Sequence, residues 1–385
     1  MTLPSLVRVP GLSGERFTVR YRLSGASSES DAAGKAADIC VEQTVEFPAD
    51  LLPSGDIPEQ IVGRVEELER RDDGGYETAI SYPVEIVGTE LTQFLNVVWG
   101  NSSIKPGIRV ERLILPDSLL STFRGPRFGR AGLRDLLQIH DRPVLCTAIK
   151  PLGLSPRELA SLAYQFALGG IDLIKDDHGL ADQPFCPFLE RVERCGEAVA
   201  RANRATGLNC VYVANVSAPA DAQVERARMA KAAGAGGLMI APGLVGMDAM
   251  RSIADDESIA LPILSHPAFQ GNFVTCPDSG IAHGALYGQM MRLAGADAVI
   301  YPNYGGRFAF SYEECRQIVE GTRAEMGLIQ PIFPAPGGGM SLDRIADMNH
   351  LYGREVIYLI GGGLHRHSAD LVENARYFSQ LVRKF

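Results

Sequence analysis

Gly169-Gly-Ile-Asp-Leu-Ile-Lys-Asp-Asp-His-Gly179 is the stretch that decides how this chain is read. Ile171, Leu173 and Ile174 form a short apolar run with the character of a buried strand. Lys175, Asp176, Asp177 and His178 follow it at once. A buried strand that ends in ligand-type side chains is how an α/β barrel builds a site, because the loops at the carboxyl ends of its strands carry the chemistry. Asp177 and His178 offer oxygen and nitrogen to a divalent ion. Oxygen donors suit Mg²⁺, and an imidazole moves the preference toward Mn²⁺ or Zn²⁺. The competing reading of the same residues is a solvated turn in which an aspartate caps a helix.

The same pattern recurs outward from this strand. Apolar runs at residues 144–150, 171–175, 209–215, 237–241, 263–266, 298–301, 332–335 and 356–360 alternate with helical stretches at 156–168, 188–205, 220–233 and 312–326. Continuous apolar strands alternating with helices imply a parallel sheet. Eight such units over about 250 residues imply a TIM barrel. The fold class is therefore α/β, with a (β/α)8 barrel over residues 131–385. Residues 1–130 read as an α+β, ferredoxin-like domain. Strands are expected at 16–21, 42–47, 76–83 and 110–115, and helices at 34–41, 56–71 and 91–99. Asp73, Gly74 and Gly75 mark a turn. The boundary falls in the Gly- and Arg-rich segment Phe123–Leu133.

Composition bounds the function. Of 385 residues, 46% are hydrophobic and 22% charged, and the net charge is −9. That balance suits a soluble globular protein and argues against a general nucleic-acid surface. The seven scattered cysteines, without a C-x-x-C pair, fit reduced thiols. No secretory leader and no membrane-length apolar stretch are apparent, so the expected location is the cytoplasm.

The positions just past the strands carry the chemistry. They are Lys150, then Lys175 with Asp177 and His178, then Asn215, His266, and Asn303 with Arg307. Pro336-Gly-Gly-Gly339 follows strand seven, and Gly361-Gly-Gly363, with His365 and His367, follows strand eight. Glycine clusters after these two strands suit phosphate binding through backbone N–H groups. Lys150 and Lys175 end adjacent strands. A buried lysine near another cation can act as a base, react with a carbonyl or with CO₂, or simply pair with Asp176 or Asp177. His266 suits a proton shuttle or a satisfied core histidine.

These residues resemble a known family. Gly169–His178 is similar to the Gly-Gly-x-Asp-Phe-x-Lys-x-Asp-Glu motif of the ribulose-bisphosphate carboxylase (RuBisCO) large chain. Thr147-Ala-Ile-Lys-Pro-Leu-Gly-Leu-Ser155 is similar to its Thr-x-x-Lys-Pro-Lys-Leu-Gly-Leu-Ser segment. The resemblance implies that Lys175 is carbamylated by CO₂ and binds Mg²⁺ with Asp177, and that His178 stands in place of a glutamate ligand. It implies that Lys150 is the enolising base and that His266 is the histidine after strand five. Arg307 lies near the mobile-loop lysine, and Gly337, Gly338, Gly361 and Gly362 form one phosphate site. Glu42 and Asn101 would reach the active site of a partner subunit, so a homodimer is expected.

The departures are equally informative. Leu152-Gly153 replaces the second lysine, Pro267 replaces an arginine, Tyr301-Pro302-Asn303 replaces a His-Thr-Gly segment, and Pro336 replaces a serine. The chain thus resembles RuBisCO-like proteins (form IV), which do not fix CO₂ on a bisphosphate. The implied activity is proton transfer on a singly phosphorylated keto sugar, foremost the isomerisation of 5-methylthioribulose 1-phosphate in methionine salvage. Alternatives are a decarboxylase or hydrolase of 3-oxo-isoapionate 4-phosphate, an enolase of 2,3-diketo-5-methylthiopentyl 1-phosphate, an aldolase-type barrel using a lysine Schiff base, and a non-catalytic metabolite-binding protein.

Overall fold

The structure is a computed structural model that describes residues 5–72, 74–308 and 310–384. Asp73 of the expected turn lies outside the described residues. The chain forms two units. One comprises the residues up to Phe123 together with Gly271–Gln289 and Glu325–Ile329, and the other comprises Arg124–Gln270, Met290–Ala324 and the chain from Gln330 onward.

The first unit is a five-stranded mixed sheet with the order Gly280–Ile281, Ile108–Ile114, Arg16–Leu23, Tyr76–Pro83, Arg64–Arg70. Phe17, Val19, Tyr21 and Leu23 alternate inward along the central strand and are fully buried, the period-2 pattern of a sheet face. Two helices, Glu29–Glu42 and Leu91–Trp99, belong to the same unit. Two expectations fail here. Residues 56–71 do not form one helix: a single turn at Ile57–Ile61 is followed by the strand Arg64–Arg70. That segment is rich in helix-favouring Glu and Arg, but it pairs antiparallel with Tyr76–Pro83, and its charges suit an exposed sheet edge. Residues 42–47 do not extend as a strand either. The first helix runs to Glu42, and a turn follows with Glu46 at φ 45°.

The second unit is the barrel. Its strands are Val144–Ile149, Leu173–Asp176, Val211–Asn215, Gly237–Ile240, Ile263–Ser265, Ala298–Pro302, Phe333–Gly337 and Ile357–Leu359, here strands one to eight. All seven ladders between them are parallel, and strand eight pairs with strand one. Strands seven and eight close the ring: a Cβ placed on Gly337 would lie 3.0 Å from the Leu359 side chain. Each strand contributes to one core, through Cys146, Leu173, Val213, Met239, Leu264, Ala298, Phe333 and Ile357. The seven cysteines are free, and six of them are buried.

Two strands begin on the same short pattern, Gly170-Ile-Asp-Leu-Ile174 and Gly295-Ala-Asp-Ala-Val-Ile300, and both glycines have positive φ. Asp172 accepts from Leu145 N and from both terminal nitrogens of Arg142, all at 2.8 Å. Asp297 accepts from Phe128 N at 2.7 Å and from Gly129 N and Ile263 N at 2.8 Å. These carboxylates tie the amino-terminal ends of the strands together, the face of such barrels that serves stability.

The first crossover helix, Pro156–Leu168, starts on a capping box. Ser155 Oγ accepts from Glu158 N, and Glu158 Oε2 accepts from Ser155 N at 2.8 Å. Ser155→Ala is expected to cost about 1 kcal/mol, read as a lower urea midpoint with an unchanged m-value.

Candidate active site

Strand alternation sorts the charged residues after Ile174 to opposite faces. Asp176 turns toward the helix Phe188–Thr206, where it accepts from Arg191 Nε at 3.2 Å, from Tyr212 Oη at 2.7 Å and from Asn215 N at 3.0 Å. It is fully engaged in holding the strand end. Lys175 and Asp177 share the other face. Lys175 is buried, and its Nζ donates to the Asp176 carbonyl at 3.0 Å. Burial lowers its proton affinity; Cys146 and Asp177 oppose the shift and Lys150 adds to it.

Asp177 is the hub. Its Oδ1 lies 3.3 Å from Lys150 Nζ and 3.7 Å from His178 Nδ1. Burial alone would raise the pKa of this carboxyl, but the adjacent His178 and the charges of Lys150 and Lys175 hold it well below the usual carboxylate range. The His178 and His266 rings stack with centroids 4.7 Å apart and planes 12° apart. His266 Nδ1 accepts from Ala268 N at 3.2 Å, which leaves Nε2 to carry the proton of the neutral ring. Burial, then Lys175, His178 and Lys150, push the His266 pKa well below its ordinary value, so the imidazole is neutral near pH 7.

The glycines after strands seven and eight bound the same region. Gly338 and Gly339 have φ of 83° and 93°, and Arg307 N donates to Gly338 O at 3.0 Å. The Arg307 guanidinium lies over the Phe308 ring at 5.1 Å. A Cβ on Gly361 would come within 3.2 Å of Lys150 Cε and 3.4 Å of its Nζ, so glycine there keeps the backbone against the lysine. Gly362 faces open space within 4 Å, and Gly337 is the last residue of strand seven.

Other expectations shift. Asn215 was expected to be catalytic, but both ends of its amide are engaged. Nδ2 donates to His178 O at 3.1 Å and Leu180 O at 2.8 Å, and Oδ1 accepts from Ser217 N at 3.1 Å. It is a positioning residue that holds the loop carrying Asp177 and His178. Asn303 is fully buried and bonded to Tyr352 Oη at 2.5 Å. His367 stacks on Tyr377 at 4.1 Å. In the first unit, Asn101 Nδ2 donates to Glu42 Oε1 at 3.0 Å, and Lys105 Nζ pairs with Glu42 Oε2 at 2.9 Å. The sequence reading missed Arg191 and Tyr212, which anchor Asp176. It also left His365 without a role, although burial and Lys150 both lower its pKa. An arginine in the helix after strand two was the one available signal.

Asp177 and His178 are the side chains here that could ligate a cation. Among the described residues, no three His, Cys, Asp or Glu side chains gather into a metal-binding group. An ionised carboxylate beside an imidazole, with a buried lysine of lowered proton affinity at hand, fits a divalent ion provided that the lysine supplies a further oxygen as a carbamate.

Residues 129–380 match the family described as ribulose bisphosphate carboxylase large chain, catalytic domain. The chain belongs to the RuBisCO large-chain family. It is 38% identical to a 5-methylthioribulose-1-phosphate isomerase of Rhodospirillum rubrum, over 94% of each chain. It is 35% identical to a 2,3-diketo-5-methylthiopentyl-1-phosphate enolase of Exiguobacterium sibiricum, over 84% of this chain and 82% of that protein. The crystal structure of a RuBisCO-like protein from Rhodopseudomonas palustris superposes with a TM-score of 0.86 at 37% identity, covering 96% of this chain and 98% of that one. RuBisCO-like relatives thus span two named activities, an isomerase and an enolase. Among the described residues, no helix is long and apolar enough to cross a membrane.

Proposed function

We propose that this chain enolises a singly phosphorylated keto sugar and that its reaction is the isomerisation of 5-methylthioribulose 1-phosphate, a step of methionine salvage. The observation that carries this reading is the approach of Gly361 to Lys150. It sets the candidate base, 3.3 Å from Asp177 Oδ1, against one of the glycine segments suited to a phosphate. Substrate phosphate takes the backbone N–H groups around Gly337, Gly338, Gly361 and Gly362. In its unprotonated form Lys150 Nζ removes the proton on the carbon beside the carbonyl and returns one to the former carbonyl carbon, while His266 Nε2 passes the hydroxyl proton between the two oxygens, so that both groups end as they began. A Mg²⁺ or Mn²⁺ ion held by Asp177, His178 and a Lys175 carbamate would supply polarisation of the carbonyl. In a homodimer, Glu42 and Asn101 would complete the site of the second copy.

The Lys150–Asp177 pair favours a second reading, decarboxylation of a 3-oxo acid phosphate such as 3-oxo-isoapionate 4-phosphate. A charged Lys150 can protonate the resulting enolate with no prior deprotonation. Proton NMR in D₂O with Mg²⁺ and bicarbonate separates the two. Deuterium incorporation and new pentulose phosphate signals from 5-methylthioribulose 1-phosphate are expected. CO₂ release from the 3-oxo acid without exchange in the sugar would replace the first reading by the second. Inertness toward both compounds would sink the two together.

A further inference from the structure

Asn303-Tyr-Gly-Gly-Arg-Phe308, the loop after strand six, carries Arg307, and its paired glycines suit a flexible lid. The structure gives glycine another purpose here. A Cβ on Gly306 would lie 2.5 Å from Gly338 O. Across the contact, a Cβ on Gly339 would lie 3.1 Å from Arg307 N and 3.2 Å from Arg307 Cβ. A side chain at Gly306 would force the loops after strands six and seven apart, and one at Gly339 would crowd Arg307. Glycine on both sides lets the two loops lie backbone against backbone.

Hydrogen bonds fasten the contact. Asn303 N donates to Gly337 O at 2.9 Å, and Arg307 N to Gly338 O at 3.0 Å. The buried Asn303 side chain accepts from Tyr352 Oη at 2.5 Å and donates to Met340 Sδ at 3.5 Å. Tyr304 is gripped at both ends. Its carbonyl accepts from Arg344 Nη1 at 3.1 Å, its hydroxyl donates to Asp347 O at 3.2 Å, and the Arg344 guanidinium lies 5.3 Å from its ring centroid. Met340, Arg344, Asp347 and Tyr352 all follow strand seven, Arg344 in the turn Leu342–Arg344 and the last two in the helix Ile345–Tyr352. The loop thus makes about one cross-loop bond per residue, the density of a folded interior and not of a free loop. A loop ordered in advance has less conformational entropy to lose when a ligand arrives.

We propose that Arg344 is a positioning residue: through Tyr304 it holds the loop after strand six against the glycines after strand seven, so that Arg307 stands at the phosphate segment before substrate binds. The loop is a fixed wall of the site and not a lid. This deepens the function proposed above and rests on its phosphate site. The first test is hydrogen exchange across residues 303–308 of the ligand-free protein, read by mass spectrometry. Exchange about tenfold or more slower than in an unstructured peptide is expected, with little change when ribitol 5-phosphate, an unreactive monophosphate, is added. Amides that exchange freely and become protected only with that compound would overturn the proposal. This experiment uses the unmodified protein, so it decides the matter even where a variant fails to fold. The second test is calorimetric binding of ribitol 5-phosphate to Arg344→Ala, to Arg307→Ala and to the double variant. Each single variant is expected to bind about tenfold more weakly, the scale of one charge-assisted contact, and the double variant no more weakly than either, because Arg344 acts through Arg307. Losses that multiply in the double variant, or an Arg344→Ala protein that binds as tightly as the natural one, would overturn the positioning role and leave the proposed function standing. If the unmodified protein does not bind the compound at all, both fail.

Discussion

Replacing Lys150 with alanine is expected to slow deuterium exchange into 5-methylthioribulose 1-phosphate by about 10²–10⁴-fold, the contribution of a positioned base. Binding of the substrate phosphate should change far less, because the glycine segments that hold it are backbone. Lys150→Arg sharpens the result. Arginine keeps the charge and can still meet Asp177, but it does not give up its proton near pH 7. If Lys150 is the base, the arginine variant is as slow as the alanine one. If the arginine variant kept most of the activity, the lysine would be acting as a fixed cation, and the decarboxylase reading would gain. Gly361→Ala is informative on the same axis, since its Cβ would fall 3.2 Å from Lys150 Cε and press the lysine side chain aside by a few tenths of an ångström. A rate loss there without loss of fold would tie the glycine to the lysine it abuts.

Asp297→Ala is expected to lower stability by about 3–5 kcal/mol, because it strips the acceptor from three backbone N–H groups, those of Phe128, Gly129 and Ile263. Urea unfolding followed by circular dichroism reads it directly, and a loss under about 1 kcal/mol would mean that water replaces the carboxylate. The same residue sets a pH dependence. Burial pushes the Asp297 carboxyl up to about 6, against its three backbone donors. In the unfolded chain it titrates near the ordinary value of about 3.9. A carboxyl raised in the folded state contributes most below the unfolded value, and that contribution is lost as pH rises through the folded one. Between about pH 4 and pH 6 the loss is roughly 2–3 kcal/mol, and above pH 6 it is complete. Asp297→Asn cannot titrate. The stability difference between the natural protein and this variant should therefore shrink by that amount from pH 4 to pH 6.5. A difference independent of pH would show that the carboxylate is ionised throughout.

The barrel was legible because its strands are buried on both faces. Such strands must be continuous apolar runs, and eight of them in alternation with helices leave few other folds. The candidate site was legible for a related reason. Chemistry sits where an apolar run stops, so Lys150, Lys175, Asp177, His178 and His266 could be picked out one strand at a time. The strand Arg64–Arg70 was not legible, since an exposed sheet edge buries nothing and its Glu and Arg side chains also suit a helix. Asn215 stood at a strand end like the others, and only its partners, the carbonyls of His178 and Leu180, reveal a clamp rather than a reacting group. Asp172 and Asp297 share a Gly-x-Asp pattern whose purpose only the structure reveals, because the N–H groups they bind come from residues far away in the chain.

The sequence by itself determined the barrel, the order of its strands and the residues presented at their ends, because each of these depends on periodicity and on neighbours in the chain. The tertiary structure alone decided which of those residues meet. Lys150 lies beside Asp177, His178 stacks on His266, and Arg344 reaches the Tyr304 carbonyl because loops from different strands pack side by side, and contacts between loops obey no spacing along the chain.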